Sequence, residues 1–429
     1  MKKLSVILLA LVLVLSMAPM AIAEEPVVLT WQTWNPGDDL YTHTIIENFE
    51  AANPGIKIEY TYMPYSDHVQ DMQIKMNNGE GADIFCMQTG ATYKEFRPYE
   101  VDLTPYAEAS WGEGWQGKFL DFCMNLLNED GSYYGLPLGL TYAGFIWADA
   151  EMLAKYDLAV PTNYEELVNV CTVLRDNGEY PLTIGAKDDW INIDTFFNIM
   201  NDINAEKLYS AIEGQTAWTD EEIVKAFQIW ANCFTDGVFQ DGALGVNMYN
   251  DTTDIFDYGE APLHMNGSWL SGNFLNQDNL DINEAFNHEG ADHEVFLLDW
   301  DNDGDIAGCQ ATIDVVLCIN SNSKHIDEAW QFVNYLLHEG QDYLINERLY
   351  YFPSRTDLEL NVKGLSEDGT ACVNYMLEQA ASNTAGYREM AYPELKLAIC
   401  EALKALGTGE MTPAQAGEHC EAASQAQAR

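Results

Sequence analysis

The stretch from Tyr41 to Phe85 constrains the fold more than any other part of the chain, because helix and strand patterns alternate along it. Apolar residues recur at helical spacing in two segments, Tyr41-Ile45-Phe49 and Val69-Met72-Met76. Three further segments have the alternating or continuous apolar pattern of strands: 27–33, 56–62 and 82–87. The order strand, helix, strand, helix, strand predicts an α/β fold with a parallel sheet.

Residues 1–23 have the pattern of a leader rather than of a folded segment. Lys2 and Lys3 precede an apolar run, and Ala21-Ile22-Ala23 is a cleavage site of the small-residue type. The apolar run is too short to span a bilayer comfortably. We therefore expect a signal peptide that is cleaved after Ala23, with the mature protein in the periplasm or the extracellular envelope. No cysteine near that site offers a lipid anchor.

The composition restricts the classes of partner. A chain of 429 residues exceeds what one hydrophobic core usually serves, so two lobes are expected. The 68 acidic residues outnumber the 20 basic ones, which makes nucleic acid an improbable partner since phosphate binding needs clustered Lys and Arg. The acids are spread along the chain, as on a solvated surface, although attraction of a cationic ligand stays open. Nine cysteines are an odd number, so at least one should be free or paired between chains.

Several segments together resemble the extracellular solute-binding proteins of sugar-type ABC importers, the maltose-binding-protein-like family. The first is F-E-A-A-N-P-G-I-K-I-E at 49–59, and others are L-T-P-Y at 103–106 and D-G-S-Y-Y-G-L-P at 130–137. Further ones are P-T-N-Y-E-E-L at 161–167, G-S-W at 267–269, N-S-K at 322–324 and P-S-R at 353–355. Thr162 and Glu165 also have the spacing of a helix capping box.

The resemblance implies two α/β lobes joined by three crossings near 139–142, 303–308 and 350–353, with a ligand cleft between the lobes. The N-terminal lobe would comprise 24–139 plus 307–350, and the C-terminal lobe 140–306 plus 351–429. A strand is predicted over 312–320 and helices over 322–337, 393–406 and 411–426.

Candidate ligand-binding residues are aromatic planes and polar groups near the expected cleft. Ligands of open α/β sheets bind beyond the carboxyl ends of strands, where the loop after the first strand lies. In the family, the Trp after the glycine of the G-S-W segment often forms part of the sugar platform. The candidates are Trp34, Asp38, Asp39, Gln88, Thr141, Tyr142, Asp188, Trp190, Trp269 and Gln310.

The segment Asp299-Trp-Asp-Asn-Asp-Gly-Asp-Ile imitates a calcium loop of the EF-hand type, with Asp299, Asp301, Asp303 and Asp305 as ligands. The twelfth position is Gln310, which cannot supply the bidentate carboxylate, and helices of the EF type do not flank the segment. The prediction is therefore no metal, with calcium at these four acids as the less favoured alternative.

The resemblance implies the substrate-binding component of an ABC importer, which captures a sugar or oligosaccharide by lobe closure and delivers it to a membrane permease. We expect a monomer without cofactor or catalytic residue. One alternative is a polyamine binder of the same fold, using Asp38, Asp39, Asp188, Asp189 and the tryptophans Trp34 and Trp190. A less favoured one is a carbohydrate-active enzyme with paired carboxylates.

Overall fold

The computed structural model describes residues 25–274 and 292–427. The predicted leader, residues 1–23, lies outside the described residues. The described strands are β1 Val27–Thr33, β2 Ile56–Tyr62, β3 Ile84–Met87, β4 Gly135–Pro137, β5 Leu140–Ala143, β6 Phe145–Asp149, β7 Leu182–Thr183, β8 Leu263–Asn266, β9 His293–Phe296, β10 Cys309–Ile313, β11 Val316–Ile319 and β12 Thr384–Tyr387.

The described α-helices alternate with these strands, and short 3₁₀ and π turns lie between them. They are α1 Leu40–Ala52, α2 Tyr65–Asn78, α3 Ala91–Phe96, α4 Thr104–Trp111, α5 Asp121–Leu127, α6 Ala150–Ala154, α7 Tyr164–Asp176, α8 Asp189–Ile212, α9 Glu221–Thr235, α10 Asp254–Asp257, α11 Ser271–Phe274, α12 Ile326–Tyr335, α13 Gln341–Asn346, α14 Glu367–Ser382, α15 Pro393–Thr408 and α16 Pro413–Ala426.

The first sheet has the order β2-β1-β3-β11-β4, and its first three strands are parallel, as the sequence predicts. β11 returns antiparallel between β3 and β4. Helix α1 packs on this sheet through the buried Ile45 and Phe49. The ring of Phe49 lies 4.8 Å from that of Phe332 on α12. This sheet and its helices form the first lobe.

The second lobe is built on the sheet β7-β8-β6-β9, and Ile146 and Met265 of this sheet lie in a second hydrophobic core, while Phe145 and Trp147 join the first core. The central helices α8 and α9 pack through Phe196 and Phe227, whose rings stack at 4.5 Å. α15 covers α9, and Trp230 Nε1 donates to the carbonyl of Leu403 (2.8 Å). The two-lobed α/β architecture is therefore present, with one sheet and one main core in each lobe.

A third sheet, β12-β10-β5, joins the two lobes. β5 follows β4 of the first lobe and leads into β6 of the second, and β10 returns the chain from β9 to β11. The prediction of one strand over 312–320 is wrong, because β10 ends at Ile313 and β11 begins at Val316 in another sheet. Apolar residues lie on both sides of Asp314, and a single acid within such a segment does not by itself indicate that a strand ends there.

Contacts of the segment 353–363 place it beside the first lobe. The N–H of Leu120 donates to Ser354, the N–H of Thr356 donates to Lys118, and the N–H of Lys363 donates to Asn346. The next element, α14, packs against β9 and β12. The chain therefore stays in contact with the first lobe through residue 363, while Phe352 pairs with Leu140 of the joining strand β5.

The N-cap of α7 lies one residue after Thr162, the residue predicted to cap this helix. α7 has Asn163 as its N-cap, and the side chain of Asn163 accepts from the N–H of Glu166 (3.0 Å). Thr162 instead donates to the carboxylate of Glu166. Two adjacent residues with capping side chains precede this helix, and the pattern alone does not choose between them. Within the described residues, no helix is long and apolar enough to cross a membrane.

Candidate functional site

A cleft with an open volume of about 1490 Å³ lies between the lobes at the carboxyl end of β1. Its first-lobe wall includes Trp34 after β1 and Tyr65 at the start of α2, and its second-lobe wall includes Trp190 at the start of α8. The deepest part, of about 320 Å³, is lined by Trp34, Tyr65, Gln88, Trp190, Tyr249, Trp269, Asp314 and Arg388.

Aromatic rings form both walls of the cleft. In the second lobe, Trp190 stacks on Tyr249 with ring centres 5.8 Å apart and meets Trp269 edge to face at 5.7 Å. In the first lobe, Trp34 and Tyr65 meet edge to face at 5.1 Å. Five rings therefore surround the deepest part, and their apolar faces suit a flat ligand with C–H groups on its surfaces.

The position of Trp269 depends on Gly267. Trp269 lies on a 3₁₀ turn, Ser268–Leu270, directly after β8, and its ring folds back over the main chain of Gly267. A Cβ at Gly267 would lie 2.1 Å from that ring, so a larger residue displaces the indole. Trp147 Nε1 also donates to the carbonyl of Gly267 (3.1 Å), which fixes the turn from behind.

Tyr249 is held by Asp188. The side chain of Asp188 lines the cleft, and its Oδ2 accepts from the N–H of Met248 (2.8 Å). Gly185 passes against the same segment, where a Cβ would lie 2.3 Å from the N of Met248. The carboxylate therefore fixes the backbone that presents the Tyr249 ring.

A buried ion pair forms the floor of the cleft. Arg388 Nε donates to both carboxylate oxygens of Asp194 (2.8 and 2.9 Å), and both side chains are almost fully buried. With the Gln88 amide oxygen facing the guanidinium, Gln88 accepts from Arg388 Nη1 (3.2 Å) and donates to Tyr65 Oη (3.0 Å). The Arg388 charge is thus compensated within the protein, while its remaining N–H groups face polar neighbours at the cleft.

Asp314 is the acidic group of the deepest part. It follows β10, is 5 % exposed, and its Oδ2 accepts from Thr141 Oγ1 (3.4 Å). Its Oδ1 is buried and accepts no hydrogen bond of normal geometry, although the nearby Trp34 side chain acts as a donor that lowers the pKa of this carboxyl. Burial raises the pKa of Asp314 to about 6, against the opposing charge of Arg388. An unpaired acceptor at this place is suited to a ligand hydroxyl, since a buried polar group without a partner is costly.

A family model described as bacterial extracellular solute-binding protein matches residues 34–343. The chain belongs to this family. It is 22 % identical over 326 residues to the multiple sugar-binding protein of Streptococcus mutans, covering 73 % of this chain and 71 % of that one. A chitin oligosaccharide binding protein superposes with a TM-score of 0.76 at 18 % identity, covering 94 % of this chain and 98 % of the other. Maltose-bound MalE3 of T. maritima superposes with a TM-score of 0.73 at 20 % identity, covering 93 % and 99 %.

In this solute-binding protein, half of the predicted ligand residues line the cleft: Trp34, Gln88, Asp188, Trp190 and Trp269. Thr141 stands behind the cleft, where it donates to Asp314. Tyr142 packs edge to face on Phe352 at 5.4 Å. Gln310 is fully buried in β10, where its side-chain N–H contacts the carbonyl of Asp194 (3.4 Å).

The acids proposed for a cationic ligand are largely engaged with the protein. Asp38 pairs with His43 (2.7 Å), and Asp189 pairs with Lys404 (2.6 Å). Asp39 caps α1 by accepting from the N–H groups of Tyr41 and Thr42, and it also accepts from Tyr350 Oη. These three acids are not among the residues that line the cleft, and they have partners that a polyamine would have to replace.

Four residues of the deepest part were not predicted: Tyr65, Tyr249, Asp314 and Arg388. Tyr65 directly follows Pro64 at the start of a helix, and such a position after a strand could have been recognised. Asp314 could have been noticed as the acid that interrupts the apolar run 312–319. No local sequence pattern marks Tyr249 or Arg388 as a cleft residue. Their positions depend on contacts with residues that are distant in sequence, Asp188 for the Tyr249 segment and Asp194 for Arg388.

The four acids of the predicted calcium loop separate into two pairs. Asp299 and Asp301 approach Asp202 of α8, and one carboxylate oxygen from each of the three lies within 4.8 Å of the others. Asp303 and Asp305 are exposed, and Asp303 accepts from the N–H of Asp305 (2.9 Å). The structure thus groups two of the predicted acids with a third that sequence spacing did not suggest.

Proposed function

We propose that this protein is the substrate-binding component of an ABC importer and that its ligand is a carbohydrate. The observation that carries the proposal is the cleft itself, with aromatic rings on both walls and polar groups at its floor. This ligand class is also supported by similar proteins whose names include a sugar: the multiple sugar-binding protein, the chitin oligosaccharide binding protein and maltose-bound MalE3.

The chemistry of the cleft fits a sugar ring better than a charged ligand. Trp190, Trp269 and Trp34 offer planes for the C–H faces of pyranose rings. Asp314 Oδ1 offers an unpaired acceptor, and Gln88 and Arg388 offer a mixed polar floor for hydroxyl groups. Asp194 already compensates the positive charge of Arg388. An anionic group on the ligand would therefore be repelled by the Asp314 carboxylate, with no free positive charge to offset the repulsion.

The lobes are proposed to close on the ligand, and the closed form to be recognised by a membrane permease. The contacts of 353–363 favour a first lobe of 24–139 plus 307–363 and a second lobe of 140–306 plus 364–429. We further propose an exported monomer whose leader is removed after Ala23, without nucleic-acid partners or catalytic residues. The export, but none of the other properties, is supported by the description of the family as extracellular.

The test begins with native mass spectrometry of the mature protein, to identify a co-purifying saccharide. Calorimetry then compares maltotriose, chitotriose and xylotriose with spermidine, and X-ray scattering records the radius of gyration with and without each. We expect saturable binding of a saccharide, and a smaller radius of gyration of the protein when the saccharide is bound.

Tyr180→Ala is a matched control, because this exposed tyrosine is not among the cleft-lining residues. Tighter, salt-sensitive spermidine binding would favour the polyamine alternative, and release of reducing sugar would favour an enzyme.

A further inference from the structure

We infer that the carboxylates of Asp202, Asp299 and Asp301 form a binding site for a divalent cation of the calcium type. This site is separate from the proposed sugar cleft, since none of the three residues lines that cleft. Asp202 comes from α8, while Asp299 and Asp301 come from the loop between β9 and β10.

The spacing of the three carboxylates suits one ion. One oxygen from each lies within 4.8 Å of the others. Calcium binds oxygen ligands at about 2.4 Å, so two of its ligands are at most about 4.8 Å apart. Three carboxylates at this separation without a cation would repel one another.

Two carboxylate oxygens in this group lack a partner. Asp301 Oδ1 and Asp202 Oδ1 are buried and accept no hydrogen bond. The side chain of Asp301 is only 8 % exposed, so solvent does not readily satisfy that oxygen. The other oxygen of Asp202 accepts from the N–H groups of Trp300 (2.7 Å) and Asp301 (3.0 Å), which directs its carboxylate toward the loop. A bound cation would satisfy both unpaired oxygens at once.

The loop is shaped independently of any ion. Asp299 accepts from the N–H groups of Asp303 (3.2 Å) and Gly304 (2.9 Å), and Gly304 has a φ of 102° that favours glycine. The main chain of Asp299 also joins the start of α7, where its carbonyl accepts from the N–H of Tyr164 (2.8 Å). Asp299 and Asp301 are therefore held in place, and Asp202 supplies the third carboxylate that the sequence lacks at Gln310.

The neighbouring charges leave a deficit of positive charge. Lys225 Nζ contacts Asp301 Oδ2 at 2.5 Å, but one ammonium group does not neutralise three carboxylates. Calcium prefers oxygen ligands such as carboxylates and tolerates a flexible coordination geometry, whereas magnesium demands a stricter octahedral geometry.

The test uses the mature full-length protein after removal of metals by a chelator. Calcium binding is followed by calorimetry, and terbium bound at the same site is followed by luminescence sensitised by nearby Trp300. We expect one calcium per chain, a rise in Tm with calcium, and at least a tenfold weaker affinity in Asp202→Asn and Asp301→Asn. Asp305→Asn is the matched control, because Asp305 belongs to the same loop but lies outside the cluster.

Lys225→Met distinguishes the cation site from a cluster that lysine alone neutralises. If calcium binds, removing the competing ammonium group should tighten its affinity severalfold. Absence of saturable calcium and terbium binding at millimolar concentration in both wild type and Lys225→Met would overturn the inference. Equal losses in Asp305→Asn and Asp202→Asn would also overturn it, because the loop rather than the three-carboxylate cluster would then hold the ion. Neither outcome bears on sugar binding, which is measured separately.

Discussion

The guanidinium carbon of Arg388 lies 4.8 Å from the ring centre of Trp269, so a buried cation contacts the aromatic wall of the cleft. Trp190 meets the same indole edge to face at 5.7 Å. Trp269 is therefore fixed by contacts with two side chains that also line the cleft, and the Arg388–Asp194 pair anchors the group.

Replacing Trp269 by alanine should weaken ligand binding much more than it weakens the fold. The change removes one aromatic plane of the proposed sugar site, which by analogy with buried aromatic anchors costs about 2 kcal/mol or more, roughly thirtyfold in Kd. The free energy of unfolding should fall by less than the ~3–5 kcal/mol typical of a deleted core tryptophan. Calorimetry with the identified saccharide and denaturant unfolding measure the two quantities.

Trp230→Ala is the control with the opposite expectation. Trp230 is fully buried on α9, and its Nε1 donates to Leu403, so its removal should cost about 3–5 kcal/mol of stability. The protein that remains folded should bind the ligand as the wild type does. Normal affinity together with a large loss of stability in Trp269→Ala would show that Trp269 is a core residue instead.

Arg388→Met should destabilise the protein strongly, because Asp194 would be left buried without its partner. The Asp194 side chain is 3 % exposed, and breaking a buried pair on one side typically costs about 3–5 kcal/mol. The free energy of unfolding from guanidinium titrations near pH 7 is the measurement. The double variant Arg388→Met/Asp194→Leu should recover much of that loss, since Asp194 is then no longer buried without a partner. Equal stability of the single and double variants would contradict this account of the floor.

The order of elements could be predicted where local patterns and tertiary packing agree. β1 and β2 occupy the segments that the strand pattern indicates, and α1 ends at Ala52 with Asn53 as its C-cap, directly before Pro54-Gly55. The two-lobed fold follows from motifs spread along the chain. The break between β10 and β11 could not be predicted, because one acid between apolar residues does not show that the chain passes from one sheet to another there.

The candidate site was predictable only for residues that directly follow recognisable elements. Trp34 follows β1, Trp190 begins α8, and Trp269 follows a glycine after β8. Arg388 and Asp194 are 194 positions apart, so their pairing depends on how distant segments of the second lobe pack together. Asp39 was predicted to bind the ligand, but it caps helix α1 instead. An aspartate in a loop before a helix suits either role, so the sequence pattern does not distinguish them.

All nine cysteines should be unreactive in the native protein and fully reactive after unfolding. Each is buried and none forms a disulfide, although the odd number alone required only one free thiol. Burial raises the pKa of the Cys86 and Cys171 thiols to about 12, which keeps little thiolate at neutral pH. Titration with a thiol reagent, without reductant, should detect almost no reactive thiols in buffer and nine per chain in guanidinium. A count of seven or fewer in guanidinium would reveal a disulfide.

Ligand affinity should rise with pH through about 6 and then level off, because the Asp314 carboxylate accepts hydroxyl hydrogens best when it is ionised. Burial raises the pKa of this group from 3.8 to about 6, so at pH 5 only about a tenth of it is ionised in the free protein. If the proposed sugar donates to Asp314, affinity at pH 5 should be up to about tenfold weaker than at pH 7.5.

Because Asp314 titrates, the free energy of unfolding should fall as the pH rises, whereas the ligand affinity should rise. Between pH 3.8 and about 6 the folded protein binds more protons at this site than the unfolded chain does, so the contribution of Asp314 to stability falls as the pH rises through that window. Asp314→Asn should therefore flatten the pH dependence of affinity and remove this loss of stability. Calorimetry at pH 5, 6, 7 and 7.5, with unfolding curves at the same values, compares the variant with wild type. A pH dependence of binding that is unchanged in Asp314→Asn would assign the titration to another group and remove Asp314 from the ligand site.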